Sequence, residues 1–179
     1  MDLERSLRKE HSKTMTDRIV AWIGSDKDRF ALLMELFLHS EYRVTQRAAW
    51  PLSYCVRAYP GLITPWFKTV LDNLNKKGHP VAVVRNTMRL LQDVDIPKKY
   101  HGRVMSTCFE FIQAHETPIA VKAFSLTVLE HLAASYPEIL PELKLIIEEQ
   151  WEQAPPAIRS RAKKILKAID RKSIPGSRP

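Results

Sequence analysis

Glycine is scarce in this 179-residue chain, with five in all, while proline reaches twelve. Hairpin-built β folds need glycine where a turn demands positive φ, so this balance weighs against them. So few glycines also make a flexible phosphate-cradling loop improbable. Cysteine is limited to Cys55 and Cys108, each inside an apolar helical pattern. They read as buried free thiols, which suits a reducing, cytoplasmic setting. No stretch approaches the roughly 18–20 apolar residues that span a bilayer. The longest candidate, Ala48 to Val56, is followed at once by Arg57. The first ten residues alternate acidic and basic and lead into no apolar core, so a secretory signal is not expected. His-Glu-x-x-His, Cys-x-x-Cys, Gly-x-Ser-x-Gly, a phosphate loop and a dinucleotide fingerprint are all missing. The expectation is therefore a non-enzymatic chain with no metal and no cofactor. Glu35 and His39, four apart on one helix, read as a surface contact.

What is present describes an ordinary globular composition, 45% hydrophobic, at a length that suits one domain or one continuous repeat array. Roughly 70% of the unfolded surface can be buried at this size, so no disulfide or metal staple is needed. Net charge is +8 and the pI is near 9.6, which brings anionic partners into consideration. The charge is unevenly placed. Residues 154–179 hold eight basic side chains against Asp170 alone, leaving the first 153 residues close to neutral. A protein that wraps DNA along its whole length spreads its cations, and this one does not.

Helical periodicity dominates. Phe30, Leu33, Met34, Phe37 and Leu38 fall on one helical face, as do Leu140, Leu143, Ile146, Ile147 and Trp151. Strand-like alternation is not sustained anywhere. Prolines punctuate the helices: His79-Pro80, Thr117-Pro118 and Pro155-Pro156 each precede a helical segment, with Pro near its first position and Thr117 as a candidate N-cap. Pro80, Pro118 and Pro156 are 38 residues apart in succession. In the helices after them a basic residue follows an apolar one, at Val84-Arg85, Val121-Lys122 and Ile158-Arg159, with Gln46-Arg47 in the matching place one unit earlier. A second echo joins Tyr59-Pro60-Gly61-Leu62-Ile63-Thr64-Pro65 to Tyr136-Pro137-Glu138-Ile139-Leu140-Pro141. Two helices per 37–38 residues is the logic of an αα-solenoid.

These features resemble the HEAT repeats of the armadillo/HEAT superfamily, over roughly residues 14–170. The resemblance implies an all-α superhelix of helical hairpins, about four to five repeats. A flexible segment is expected at 1–13 and a basic flexible tail at 171–179. Helices are predicted at about 14–24, 28–38, 43–58, 62–75, 81–93, 99–114, 119–134, 138–152 and 157–170. Pro51 is expected to kink or split the third of these.

The candidate binding residues are Arg47, Trp50, Arg85, Arg89, Lys122, Arg159, Lys163, Lys164 and Lys167. Arg47, Arg85, Lys122 and Arg159 form a regular basic ladder. Either it lines an inner surface for phosphates or an acidic peptide, or each member reaches a carbonyl or carboxylate of the adjacent unit, as HEAT-like arrays imply. Lys163, Lys164 and Lys167 lie on the polar side of the last helix, either as a solvated cap or as a polyanion patch. Trp22, Trp66 and Trp151 read as packing residues, and Trp50 as the tryptophan best placed for a ligand contact. The expected function is a protein-interaction scaffold with an unknown protein partner. The alternative is nucleic-acid binding through the basic C-terminal helix. Its most specialised form resembles the HEAT-like bacterial alkylpurine DNA glycosylases, in which a Trp and an Asp one helical turn apart contribute to the site. Here only Trp22 and Asp26 have that spacing.

Overall fold

A computed structural model describes residues 1–74 and 81–173, with side chains as far as residue 170. Among the described residues there are ten α-helices and no strand. The chain divides into two compact units, Met1–Pro97 and Lys98–Pro179.

The first unit holds α1 (Leu3–Lys9), α2 (Lys13–Ile23), α3 (Lys27–His39), α4 (Tyr42–Ala58), α5 (Phe67–Leu74) and α6 (Val81–Leu91). Helix α1 corrects the expectation of a loose start. Asp2 caps it by accepting a hydrogen bond from the Arg5 amide at 3.0 Å. Leu3 and Leu7, four residues apart on one face, are both buried. Those two side chains supply the apolar burial that a seven-residue helix needs, since so short a helix is marginal in water by itself. Ser12 and Asp26 cap α2 and α3 in the same manner, Asp26 accepting from the amides of Asp28 and Arg29. The α2–α3 turn is made by Gly24 at φ +51°, ψ −129°, a conformation that a side chain resists.

Helix α4 is the hub of this unit, packing against α1, α2, α3 and α6. Its 17 residues run unbroken through Pro51, so the expected split does not occur. Proline removes one backbone donor there. Nearby, the Ser53 hydroxyl donates to the Ala49 and Trp50 carbonyls at 2.9 and 3.0 Å. Phe30, Leu33, Met34 and Phe37 of α3 are fully buried in the same core, with Val44, Ala48, Leu52 and Cys55 of α4.

The second unit holds α7 (His101–Gln113), α8 (Ile119–Leu132), α9 (Leu140–Gln150) and α10 (Pro156–Ser173). Here α8 is the hub, packed against α7 and α10. It buries Val121, Ala123, Ser125, Leu126, Val128, Leu129 and Leu132, around most of its circumference. Pro156 opens α10 at its first position, whereas Pro118 is itself the cap residue of α8 and Thr117 makes no capping bond. His79-Pro80 lies outside the described residues.

The Tyr-Pro echo in the sequence is an echo in the backbone. Tyr59 adopts φ −138°, ψ 76° and Tyr136 adopts φ −129°, ψ 66°. Each donates its amide to the carbonyl four residues back, Cys55 at 2.8 Å and Leu132 at 2.9 Å. Each is then followed by a 3-10 turn, Pro60–Leu62 or Pro137–Ile139, and a helix of the next hairpin. The helix expected over 62–75 therefore starts later, as α5, after two 3-10 turns.

Candidate binding site

The basic ladder divides into spent and unspent members. In the first unit Arg47 sits on the face of α4 that meets α1. Its Nη1 donates to the carbonyls of Leu7 and Arg8, both at 2.8 Å. These belong to the last turn of α1, where carbonyls lack intrahelical partners and the helix dipole favours a cation. Arg47 thus reaches carbonyls of the adjacent helix, the structural alternative for a ladder member. Arg85, 38 residues on and half-buried in α6, makes no hydrogen bond or ion pair with a described residue. The same is true of the side chain of Arg89, one turn further along α6 and exposed.

Arg85, Arg89 and Trp50 come together. They line an open groove of about 460 Å³ with Asn86, Gln46, Ala49 and His11. Helix α4 contributes Gln46, Ala49 and Trp50 from one face, and α6 contributes the two arginines and Asn86. His11 comes from the link between α1 and α2, its ring edge-on to Trp50 with centroids 5.2 Å apart. Among the described residues no carboxylate lines this groove. The Nδ2 of Asn86 is buried and has no hydrogen-bond partner.

Sequence reasoning missed the other four, Ala49 and three polar residues. Gln46 and Asn86 flank ladder positions, beside Arg47 and Arg85, and the repeat register points to them. His11 falls in the stretch expected to be loose.

In the second unit the remaining candidates have different surroundings. Lys122 is half-buried and lines a cleft of about 390 Å³ that also contains Glu149, so the cleft is charge-balanced. Arg159 is a second structural contact. Its Nη2 donates to the Glu152 carbonyl at 2.8 Å, and its guanidinium lies 6.0 Å from the Trp151 ring centre. Arg161 turns to the Thr127 hydroxyl at 3.0 Å and stacks near Phe124. Lys163, Lys164 and Lys167 are exposed on α10 and form no ion pair with a described residue. The extension of that patch through Arg171 and Lys172 lies outside the described side chains.

The Trp22–Asp26 pair is locked into local structure. Asp26 caps α3 and pairs with Arg29 at 3.2 Å, while Arg29 donates to the Trp22 carbonyl at 2.6 Å and lies over its ring at 5.0 Å. All four tryptophans are half-buried, so Trp22, Trp66 and Trp151 cover the edges of the packing. Glu35 and His39 meet on the surface at 3.7 Å.

Thiol chemistry is suppressed. Burial pushes both Cys55 and Cys108 up to about 12, and the Ser125 hydroxyl offsets this slightly at Cys108. A thiol held so far above neutrality supplies almost no thiolate nucleophile. Among the described residues no group of three metal-ligating side chains converges. No helix among them is long and apolar enough to cross a membrane.

Helical hairpins and a side-chain groove define a helical-repeat protein. The HEAT repeat domain family matches residues 3–169, nearly the whole chain, and the protein belongs to that family. Comparison with curated proteins gives no match, and neither does comparison with solved structures.

Proposed function

We propose that this chain is a non-enzymatic interaction scaffold whose repeats present a groove to a partner protein. The observation that carries this reading is the convergence of Trp50, Arg85 and Arg89 on one groove, with both arginines unspent. Arginine and tryptophan are the residues that most often anchor protein interfaces. The lining holds donors and aromatic surface, but no carboxylate for acid–base work and no nucleophile with a base beside it. Two buried free thiols support a cytoplasmic setting.

The test is retention of a partner. The immobilised chain should hold a protein from its own cell lysate that R85E/R89E releases. Turnover of a substrate by the purified chain, with no protein retained, overturns the reading.

One observation favours a second reading, binding of nucleic acid or another polyanion. Lys163, Lys164 and Lys167 stand exposed along α10 and pair with no described residue. Titration of labelled duplex at two salt concentrations discriminates, because contact with several phosphates weakens steeply as salt rises. The glycosylase form of that reading has lost its support, since Asp26 is committed to capping α3.

A further inference from the structure

We infer that the groove between α4 and α6 receives an acidic segment of the partner protein. In this assignment Arg85 and Arg89 each take one carboxylate, and Trp50 takes an apolar or aromatic side chain. The inference rests on the scaffold reading above and adds the chemistry of what is bound.

The first argument is the composition of the lining. Among the described residues it offers two guanidiniums, two amides, one imidazole and one indole, and no acidic group opposes them. By contrast, two arginines of α4 already have anionic or carbonyl partners. Arg47 is held by the Leu7 and Arg8 carbonyls, and Arg57 by Asp93 at 2.6 Å. The positive charge in the groove is thus uncompensated by the fold. Arg85 and Arg89 are four residues apart on one helix, so they share a face and repel one another. An anion on that face relieves the repulsion.

A second argument comes from Asn86, whose buried Nδ2 has no acceptor. A donor left in that state is costly, and a peptide carbonyl supplies what it lacks. Asn86 itself lines the groove beside Arg85, so a turn of its side chain brings the amide to a bound chain.

The count of cations separates a peptide from a nucleic-acid strand. A strand carries a phosphate at every nucleotide, and its affinity comes from many contacts along a basic track. Among the described residues the groove offers two arginines and no lysine. Two planar forks match two carboxylates, which guanidinium groups bind in bidentate fashion. The cleft of the second unit, where Lys122 faces the same space as Glu149, carries no such preference.

The experiment uses the full chain and three labelled probes in fluorescence anisotropy. These are a Glu-rich dodecapeptide with one central Leu, its Gln counterpart, and a thymidine oligonucleotide of equal charge. The Glu peptide should bind and the Gln peptide should not. R85Q/R89Q should weaken binding at least about tenfold, the cost of removing charge-paired contacts. R85K/R89K, which keeps the charge and loses the fork, should fall between, and K163Q/K164Q/K167Q should match wild type. Circular dichroism of R85Q/R89Q should be unchanged, because neither side chain holds a partner among the described residues. If the Glu peptide binds and only the lysine variant weakens it, the groove assignment is overturned while the scaffold reading stands. Failure of the Glu peptide to bind also overturns the assignment. If the oligonucleotide alone binds and R85Q/R89Q abolishes it, both readings are overturned.

Discussion

The Arg47 guanidinium reaches the carbonyl of Leu7, 40 residues earlier in the chain, with Nη1 donating at 2.8 Å. One side chain of the hub helix thereby closes the end of α1, and the neighbouring bond to Arg8 doubles the hold. The same anchoring fixes the chain that leads to His11, which forms one edge of the groove.

Removing the clamp should loosen α1 before anything else. Arg47→Met keeps the aliphatic stem and deletes the charged donors. Hydrogen bonds from a charged group contribute about 1.5–3 kcal/mol. Partial exposure places the expected loss near the lower end of that range. Hydrogen exchange should accelerate first at residues 3–9, with urea unfolding reporting the global change. Unaltered protection of α1 would contradict the clamp.

Gly24 is expected to resist substitution for backbone reasons. A Cβ there meets no close neighbour, the nearest atom being the Ala21 carbonyl oxygen at 4.0 Å, but φ is +51°. Gly24→Ala should therefore cost about 1–3 kcal/mol through strain. Gly61→Ala, where a Cβ meets nothing and φ is ordinary, should cost much less. Thermal unfolding of the two variants side by side checks this.

The buried thiols make stability fall in alkali. Below about pH 9 both folded and unfolded chains keep the thiol protons, and the cysteines add no pH dependence. Above that, the unfolded chain releases protons that the folded chain retains up to about 12. Stability then declines by as much as about 1.4 kcal/mol per pH unit for each thiol. Urea midpoints between pH 8 and pH 10.5 should drop less steeply in C55A/C108A than in wild type. A thiol-specific reagent should react with the native protein only at the rate of its opening.

Arg57 and Asp93 pair at 2.6 Å across 36 residues, but both are substantially solvated. Exposed pairs of this kind contribute about 0.2–1 kcal/mol and are screened by salt. Asp93→Asn should shift the unfolding midpoint only slightly, and the shift should vanish in concentrated salt. A larger effect would mean that the pair shapes the end of α6.

Much of the fold was legible because its signals are local. The apolar spacing in 28–38 and the proline phase at 118 and 156 correspond to α3, α8 and α10. The repeated Tyr-Pro openings correspond to two turns with nearly the same backbone angles. Helix α1 escaped notice because its alternating charges suggest a solvated segment. Its signal was the Leu3/Leu7 spacing after a capping Asp2. The candidate site was only half legible. Trp50, Arg85 and Arg89 were named as candidates from the sequence, only Arg85 of them from the ladder, whereas the place of Gln46, Asn86 and His11 in one groove followed from α4, α6 and the α1–α2 link coming together.

Periodicity, capping residues and proline phase depend on neighbours within a few positions, so the amino-acid string alone determined an all-α hairpin repeat. Whether a ladder cation is consumed or available depends on which carbonyls and carboxylates arrive beside it from dozens of residues away. Only the tertiary structure decided that Arg47 and Arg159 bond to carbonyls of the fold while the side chains of Arg85 and Arg89 bond to no described residue.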